Sequence, residues 1–555
     1  MKKHGEYLVK FINELWEFGI TEDDIWCSIA VLLAREILAF LRQSGWTDDW
    51  IITSDGMSSL FKCVSEESAF YLETQQLLAD LENNNLKHLQ RQLLSWKVKK
   101  GQEGVYIEFD LKSPALTSLK LLNMNLTAVP NFNTLPFLQE LDLSGNSLKS
   151  IPDFTEMSNL LLLNLSCNKL DDIPDFTGLP RLIELNLGDN NLEDIPSFQK
   201  LPSLEKLDLR SNRLKSVPAF DGLQKLQFLF LGGNQLIYIP DFQLRELKEL
   251  WLDGNKLTSV PDFTGCKKLR VLSLWFNNLT ILPEFSNLPE LVELIVYWNK
   301  LEEIPDFQNL PQLEKLILSR NKLKQVPPFS KLVNLIELNL SENKLVEIPD
   351  FELPNLEELR LSSNKLITLP DFQNLASLQE LYAAFNKLEA IPDFLALRML
   401  KRLDVDKNFL KKVPNFSGLP NLQSLSLGKN KLREIPDFKA LPNLLSLSLE
   451  VNRLFEIPNF NSCPRLERLW LNRNELKTIP DFELPNLQLL YLDQNELEII
   501  PDFSHLGNLV RLSLEKNPVK SIKLVTGEII SFDPDKGRRN FSRLPVDCQF
   551  NYKSE

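Results

Sequence analysis

Residues 299–321 read NKLEEIPDFQNLPQLEKLILSRN, and the same pattern recurs along most of the chain. Aligned on its first asparagine, the pattern returns every 22 residues, and the step shortens to 21 residues three times. A fixed period of this length is typical of a solenoid, in which each copy stacks on the next. The aligned asparagines are Asn146, Asn168, Asn190, Asn212, Asn234, Asn255, Asn277, Asn299, Asn321, Asn343, Asn364, Asn386, Asn408, Asn430, Asn452, Asn474, Asn495 and Asn517.

The first half of each copy follows the frame LxxLxLxxNxL, as in Leu291, Leu294, Val296, Asn299 and Leu301. The alternation of apolar and polar residues predicts one short strand per copy, with the Leu side chains in the core and their neighbours facing outward. An Asn at the end of each strand can bond to turn backbone groups that would otherwise be unpaired. A degenerate first copy, which begins at residue 116, brings the count to 19 repeats.

The second half of each copy, IPDFxxLPxL, places one Phe per repeat in a single register. Because an apolar residue that recurs in every repeat is usually core, we expect these residues to form a continuous Phe spine. Pro fixes the backbone and Asp can cap a short turn, so this side should hold 3₁₀ or irregular turns. The spine residues are Phe132, Phe154, Phe176, Phe198, Phe220, Phe242, Phe263, Phe285, Phe307, Phe329, Phe351, Phe372, Phe394, Phe416, Phe438, Phe460, Phe482 and Phe503.

This repeat resembles the leucine-rich-repeat family over residues 116 to about 522, and its length is similar to that of the bacterial internalins and of the leucine-rich regulatory subunit of type one protein phosphatase. The resemblance implies an α+β repeat solenoid: a curved horseshoe with a parallel concave β-sheet and short 3₁₀ or irregular convex turns. It also implies that the concave face binds another macromolecule, which is the usual function of such solenoids.

The flanks predict three further regions. Residues 1–100 lack the repeat and show helical spacing of apolar residues, which indicates an α-helical N-terminal domain. Residues 101–115 contain an alternating stretch that predicts a strand capping the first edge of the sheet. The solenoid spans residues 116–522, and residues 523–555 are predicted to form a C-terminal cap and tail.

Specificity in a repeat protein must come from the outward strand positions, because the inward ones build the scaffold. These positions are polar in repeats two to five, whereas repeats six to nine carry large apolar residues. We interpret this cluster as the main partner-binding patch, since contiguous exposed apolar surface and aromatic residues mark interfaces. The predicted patch comprises Phe228, Phe230, Trp251, Trp275, Phe276, Ile295, Tyr297, Trp298 and Ile317, and the secondary patches comprise Tyr382, Phe385, Arg468, Trp470 and Tyr491.

Two structural interpretations compete with a binding patch. Aromatic pairs across neighbouring strands can simply stiffen a sheet. Another part of the same chain could also fold back over the aromatic residues. Neither explains directly why the large side chains are clustered in neighbouring repeats and scarce in the others.

Composition limits the kind of partner. A net charge of -13 and a pI near 5.1 argue against nucleic acid, whose binders usually carry a basic stripe. The six cysteines form no CxxC pair, so neither a zinc site nor a disulfide framework is expected, and no other metal or cofactor motif appears. No apolar run predicts a membrane span or a signal peptide. We therefore expect a monomer in the cytoplasm, or in a host cytosol if the source is a bacterial pathogen or symbiont.

The sequence thus favours a noncatalytic scaffold that binds a partner protein. The alternative is a recruiting subunit or bacterial effector adapter whose helical domain engages an enzyme, such as a phosphatase or a ubiquitin ligase. Some bacterial effectors join similar repeats to a large ubiquitin-ligase domain with a catalytic cysteine, whereas only about 33 residues follow the last repeat here. Glycan binding through the Trp residues is a third hypothesis.

Overall fold

The computed structural model describes residues 105–109, 116–123, 125–129, 132, 137–523 and 529–531. The predicted helical domain, residues 1–100, lies outside these residues, as does most of the predicted C-terminal cap. The chain divides into two compact units: unit 1 comprises Met1–Lys256 and Phe263–Leu269, and unit 2 comprises Leu257–Asp262 and Arg270–Glu555.

Unit 1 contains one short strand per repeat, and these strands are hydrogen-bonded side by side in parallel. The first strand, β1, instead runs antiparallel to β2 and pairs Val105 with Leu121 at the edge of the sheet. The strands of unit 1 are β1 (Val105–Phe109), β2 (Leu116–Leu121), β3 (Glu140–Asp142), β4 (Leu162–Asn164), β5 (Glu184–Asn186), β6 (Lys206–Asp208), β7 (Phe228–Phe230) and β8 (Glu249–Trp251).

Unit 2 repeats the same parallel arrangement, and equivalent residues of successive repeats pair, as Leu294 does with Leu316. A second, small sheet joins β20, β22 and β23 near the end of the repeats. The strands of unit 2 are β9 (Val271–Ser273), β10 (Glu293–Ile295), β11 (Lys315–Ile317), β12 (Glu337–Asn339), β13 (Glu358–Arg360), β14 (Glu380–Tyr382), β15 (Arg402–Asp404), β16 (Ser424–Ser426), β17 (Ser446–Ser448), β18 (Arg468–Trp470), β19 (Leu489–Tyr491), β20 (Ile499–Pro501), β21 (Arg511–Ser513), β22 (Ser521–Lys523) and β23 (Ile529–Ser531).

The α+β expectation needs correction. Each described unit is a parallel-strand solenoid of stacked coils, and the helix within the described residues is a single 3₁₀ turn, Phe503–His505. The side opposite the strands consists of irregular turns, because the Pro in each repeat lacks the amide that a longer helix would need. Short turn bonds remain, such as the one that the Leu288 amide donates to the Phe285 carbonyl at 3.2 Å.

The predicted Asn ladder is present and has a definite bonding pattern. Asn299 Nδ2 donates to the carbonyl oxygens of Leu274 (2.9 Å) and Val296 (3.2 Å), and its Oδ1 accepts the amide of Leu279 at 3.0 Å. Leu274 and Leu279 belong to the preceding repeat. Each Asn therefore satisfies buried backbone groups in its own coil and connects that coil to the one before it.

The predicted Phe spine is also present. The rings of Phe307 and Phe329 have centroids 6.4 Å apart and lie nearly parallel, and both side chains are 0% exposed. Their backbones have φ of 49° and 54°, in the left-handed region that bulky residues seldom occupy. Burial of the ring offsets this backbone cost, because fully burying a Phe side chain contributes about 1.5–3 kcal/mol.

The Asp that follows Pro in many of the repeats was expected to cap its own turn, but its hydrogen bonds go to the following repeat. Asp306 Oδ1 accepts the amide of Phe329, which lies in the following repeat, at 3.2 Å. Asp393 likewise accepts the amide of Ser417 at 3.0 Å. The carboxylate therefore connects successive coils on the turn side, as the Asn does at the end of the strand.

Candidate functional site

The outward face of the strands is built by the short stretch between two core leucines of each repeat. In β10, Leu294 is fully buried while Glu293 and Ile295 are half-buried on the opposite side. The strand alternation thus turns every variable position to the same face. Because neighbouring coils are hydrogen-bonded in register, side chains at equivalent positions meet from one repeat to the next.

In unit 1, the predicted patch residues form a small aromatic pair. Phe230 and Trp251 have ring centroids 6.3 Å apart, and the Arg210 guanidinium lies 5.0 Å from the centre of the Phe230 ring. Arg210 also donates from Nη2 to Asp208 at 2.6 Å, and Trp251 Nε1 donates to Glu249 Oε2 at 3.1 Å. We call Phe230 and Trp251 the unit 1 pair; Phe228, which is half-buried, lies on the same strand as Phe230.

Asp253 gives the unit 1 pair an unusual electrostatic neighbour. Burial raises the pKa of the Asp253 carboxyl, and the positive charge of Arg210 lowers it by a smaller amount. One carboxylate oxygen of Asp253 is buried without a hydrogen-bond partner among the described residues. The polar groups around the rings are thus only partly satisfied.

In unit 2, four of the predicted residues form a denser cluster, which we call the unit 2 cluster: Trp275, Phe276, Tyr297 and Trp298. Trp275 and Tyr297 stack with centroids 5.2 Å apart, and Phe276 meets Trp298 edge to face at 4.9 Å. Such contacts are worth about 0.5–1.5 kcal/mol each beyond the buried area. The rings therefore hold one another in place.

Two rings of the unit 2 cluster remain open to solvent. Phe276 is 48% exposed and Trp298 is 47% exposed. Their backbone amides donate to carbonyls of the following repeat, those of Tyr297 at 3.0 Å and Ser319 at 2.9 Å. The exposed rings therefore sit on fixed backbone rather than on free loops.

Charged side chains border the unit 2 cluster. The Arg320 guanidinium lies 5.0 Å from the centre of the Trp298 ring, and its Nε donates to Glu342 at 2.9 Å. On the neighbouring strands, Lys315 Nζ lies 3.1 Å from Glu337. These pairs place charged groups beside the exposed rings.

The structure separates Ile317 from the other patch residues. Ile317 occupies an outward position but is only 8% exposed, packed beside Ile295 of the neighbouring strand. A side chain this buried supports the sheet beneath the cluster, and its role as a partner contact stays a prediction. Ile295 remains half-buried, next to Ser273 on its other side.

The secondary patches are smaller and depend on cations that the sequence reasoning did not pair with them. The rings of Trp470 and Tyr491 stack at 6.2 Å, and Arg511, which was not among the predicted patch residues, packs over Tyr491. Arg468, which was among them, lies 3.7 Å from Glu467.

At the other secondary patch, Arg360 packs over Tyr382 and Lys407 over Phe385. A cation and an aromatic ring at equivalent positions of adjacent coils are the signal that could have identified these pairs from the sequence.

A polar cavity in unit 2 was not anticipated. It has a volume of about 440 Å³ and is lined by residues of both charges, including Lys429, Glu450, Arg473 and Asp493. Lys429 Nζ pairs with Glu450 at 2.8 Å, so part of the charge is neutralised internally. The cavity lies on several different repeats, which explains why no single stretch of sequence indicated it.

Two buried cysteines and one histidine of the described residues have structural environments. They contain no group of three side chains suited to hold a metal ion. Burial raises the pKa of the Cys266 and Cys463 thiols to about 11, so both are protonated and poor nucleophiles at neutral pH. His505 Nε2 lies 2.6 Å from the Phe482 carbonyl oxygen and thus makes a structural contact. No helix among the described residues has the length and hydropathy to cross a membrane.

Family sequence models match repeated segments that cover more than half of the chain. The model described as "Leucine rich repeat" matches residues 136–192, 184–236, 245–301, 398–454 and 464–519. The model described as "Leucine Rich repeats (2 copies)" matches residues 311–353 and 354–396. The chain belongs to the leucine-rich-repeat family. The sequence matches no curated protein sequence.

Solved structures extend the same assignment. A leucine-rich-repeat protein of Leptospira interrogans is 29% identical, with a TM-score of 0.56 over 75% of this chain and 96% of that one. YopM of Yersinia enterocolitica is 27% identical, with a TM-score of 0.58 over 79% of this chain and 96% of YopM. The plant peptide hormone receptor RGFR1, solved in complex with RGF2, is 28% identical, with a TM-score of 0.57 over 78% and 82%.

Proposed function

We propose that this leucine-rich-repeat protein is a noncatalytic scaffold that binds a partner protein through the outward face of its strands. The unit 1 pair and the unit 2 cluster are the main contacts, and each is proposed separately as part of that surface. Leucine-rich-repeat proteins are typically interaction scaffolds, and RGFR1, which resembles this chain, was solved with a bound ligand.

The observation that carries the proposal is the exposure of Phe276 and Trp298. Each ring is about half exposed, yet both are fixed by an edge-to-face contact and by backbone hydrogen bonds to the next coil. A partner that covers such rings gains apolar burial without the cost of ordering them. Exposed, rigid aromatic residues of this kind are the usual hot spots of protein interfaces.

The ring arrangement supports a protein partner more than a glycan. A sugar ring stacks on an open aromatic face, but Trp275 and Tyr297 cover one face of each other, and Arg320 lies over Trp298. What remains exposed is an uneven apolar surface with charged neighbours. This surface is better matched to apolar side chains with a polar rim.

The test compares three full-length proteins in quantitative partner capture from cell lysate. One carries Phe276→Ala with Trp298→Ala, and one carries Phe230→Ala with Trp251→Ala. The control carries Ile237→Ala with Tyr238→Ala, which removes two adjacent side chains that are 57% and 60% exposed outside the proposed contacts. Circular dichroism first checks that all three fold.

We expect one specific partner protein to be retained by the control and lost by the unit 1 pair variant or the unit 2 cluster variant. A true hot spot should weaken the binding free energy by about 2 kcal/mol or more. Equal capture by all three variants would contradict the assignment of the face. Loss of bound glycan together with retention of every protein partner would instead support the glycan hypothesis.

The proposal places the protein in the cytoplasm, or in a host cytosol if its source is a pathogen or symbiont. The described cysteines Cys167, Cys266 and Cys463 are free thiols, which is consistent with a reducing compartment.

A further inference from the structure

The residue that follows each ladder Asn forms a second outward-pointing register, distinct from the aromatic residues. In five consecutive repeats of unit 2 this residue is a lysine. We call the set the lysine row: it comprises Lys300, Lys322, Lys344, Lys365 and Lys387. Cations continue at the same position in two later repeats, Lys431 and Arg453.

The backbone fixes the lysine row in a regular array. The Lys322 amide donates to the Leu301 carbonyl at 2.8 Å, and the Lys344 amide donates to the Leu323 carbonyl at 2.9 Å. Every member of the row makes the equivalent bond to the preceding coil. Neighbouring lysines are therefore anchored about 4.8 Å apart, the spacing of adjacent strands.

The ammonium groups of the row are available to a ligand. Four of the five lysines are exposed and Lys322 is half-buried. Within the part of the chain that the structure describes, none of the five forms an ion pair, whereas nearby Lys324 pairs with Glu302 at 2.7 Å. Glu302 attracts Lys322 and Lys344 and so offsets part of the charge at the start of the row. The neighbouring like charges still repel each other, and an approaching anion relieves this repulsion.

Unit 1 shows that the row is not a requirement of the repeat. The same position holds Ser147, Asn191 and Gln235 in alternate repeats, with the same backbone bond to the preceding coil, and cations in the repeats between them: Lys169, Arg213 and Lys256. A neutral residue thus serves the scaffold equally well. The consecutive lysines of unit 2 therefore call for a separate explanation.

We propose that the lysine row binds an extended acidic segment of a partner protein that runs along the stack of coils. Alternate side chains of an extended peptide lie about 6.6 Å apart on one side, and flexible Lys side chains can follow that spacing. The net charge of -13 repels an acidic segment at long range, so the attraction must come from the lysines at short range, where solvent screens the other charges. This inference adds a surface and does not rest on the aromatic clusters.

An acidic peptide fits better than a single-stranded nucleic acid. Nucleic-acid strands gain affinity by stacking bases on open aromatic rings. The exposed rings near this register already carry cations: Arg320 lies over Trp298, Lys407 over Phe385 and Lys431 over Phe409. What the register offers freely is therefore positive charge rather than stacking surface.

The test measures the fluorescence anisotropy of a labelled peptide in which Glu alternates with Ser, with a Gln version as the neutral probe. The row variant of the full chain carries Lys322→Glu, Lys344→Glu and Lys365→Glu. The control variant carries Lys225→Glu, Lys267→Glu and Lys331→Glu, which changes the net charge equally at exposed lysines of separate repeats. The Phe276→Ala, Trp298→Ala variant is measured alongside.

We expect the wild-type protein to bind the Glu peptide and not the Gln peptide, with affinity that falls as salt rises. The row variant should bind about tenfold more weakly or worse, and the control and aromatic variants should stay within about twofold.

Three results would overturn the proposal. They are no binding by the wild type, equal losses in the row and control variants, or tighter row-dependent binding of a single-stranded oligonucleotide. Failure of the aromatic variant in partner capture, with peptide binding intact, separates the two proposals.

Discussion

The interiors of unit 1 and unit 2 are built in the same way, but the outward faces of the two units differ. In unit 1, many outward polar groups bond to each other, as Asn164 does to Asp142 at 3.0 Å and Arg210 to Asp208. In unit 2, four aromatic rings contact each other and two of them remain half exposed. The buried positions determine the fold and vary little from one repeat to the next, whereas the outward positions vary and are free to carry function.

If the two interiors are equivalent, removing a spine ring should cost the same in either unit. Phe198→Ala in unit 1 and Phe307→Ala in unit 2 each empty a fully buried site, and we expect a loss of about 3–5 kcal/mol in the free energy of unfolding. Urea unfolding followed by circular dichroism measures the change. A loss in one unit of less than half that in the other would break the equivalence.

The Asn ladder gives the next largest effect. Asn190→Ala in unit 1 and Asn321→Ala in unit 2 each leave two carbonyls and one amide without their partner. We expect each to lose about 3 kcal/mol, since buried groups deprived of a hydrogen bond are costly. Hydrogen exchange should show faster opening of the two coils that the Asn joins, and the idea fails if exchange changes only at the chain ends.

Ile317 and Phe276 sharpen the distinction within the outward face of unit 2. Ile317 is 8% exposed and Phe276 is 48% exposed, so Ile317→Ala should lose about 2 kcal/mol of stability and Phe276→Ala less than about 1 kcal/mol. Partner capture should respond in the opposite order. Thermal unfolding of both variants provides the measurement; a Phe276→Ala protein less stable than Ile317→Ala would indicate a structural role for the exposed ring.

Asp406 provides a test of pH dependence on the outward face of unit 2. Burial and the neighbouring Asp404 raise the pKa of the Asp406 carboxyl to about 6. Because this pKa exceeds the ordinary value of about 3.9, the folded protein binds the proton more tightly than the unfolded chain. The contribution of Asp406 to stability is thus favourable at low pH and is lost as pH rises from about 4 to about 6.

Asp406→Asn removes this titration while keeping an oxygen that can accept the Gly428 amide. We expect the variant to gain about 1–2 kcal/mol relative to wild type at pH 7 and little at pH 4. Urea midpoints measured for both proteins across this range give the difference. A constant difference at every pH would refute a raised pKa in the folded state.

The amino-acid sequence alone predicts the repeat, the inward and outward registers, the Asn ladder and the Phe spine. It could do so because each coil repeats the same local contacts, so a one-dimensional pattern maps directly onto a stacked structure. It also predicts that Trp275, Phe276, Tyr297 and Trp298 lie on one face, because they occupy equivalent positions of neighbouring repeats. Phe276 and Trp298 follow the strands with φ of 55° and 58°, which strand alternation does not predict.

The exposure of each outward side chain, and the residues that it contacts, depend on the packing of neighbouring coils. Ile317 shares its register with Trp251 yet is buried, because exposure depends on the size of neighbours on adjacent coils. The turn residues Asp306 and Asp393 bond to the next coil, and Arg511 packs over Tyr491. Such partners lie a whole repeat apart in the chain, and side-chain reach across coils, rather than sequence spacing, selects them.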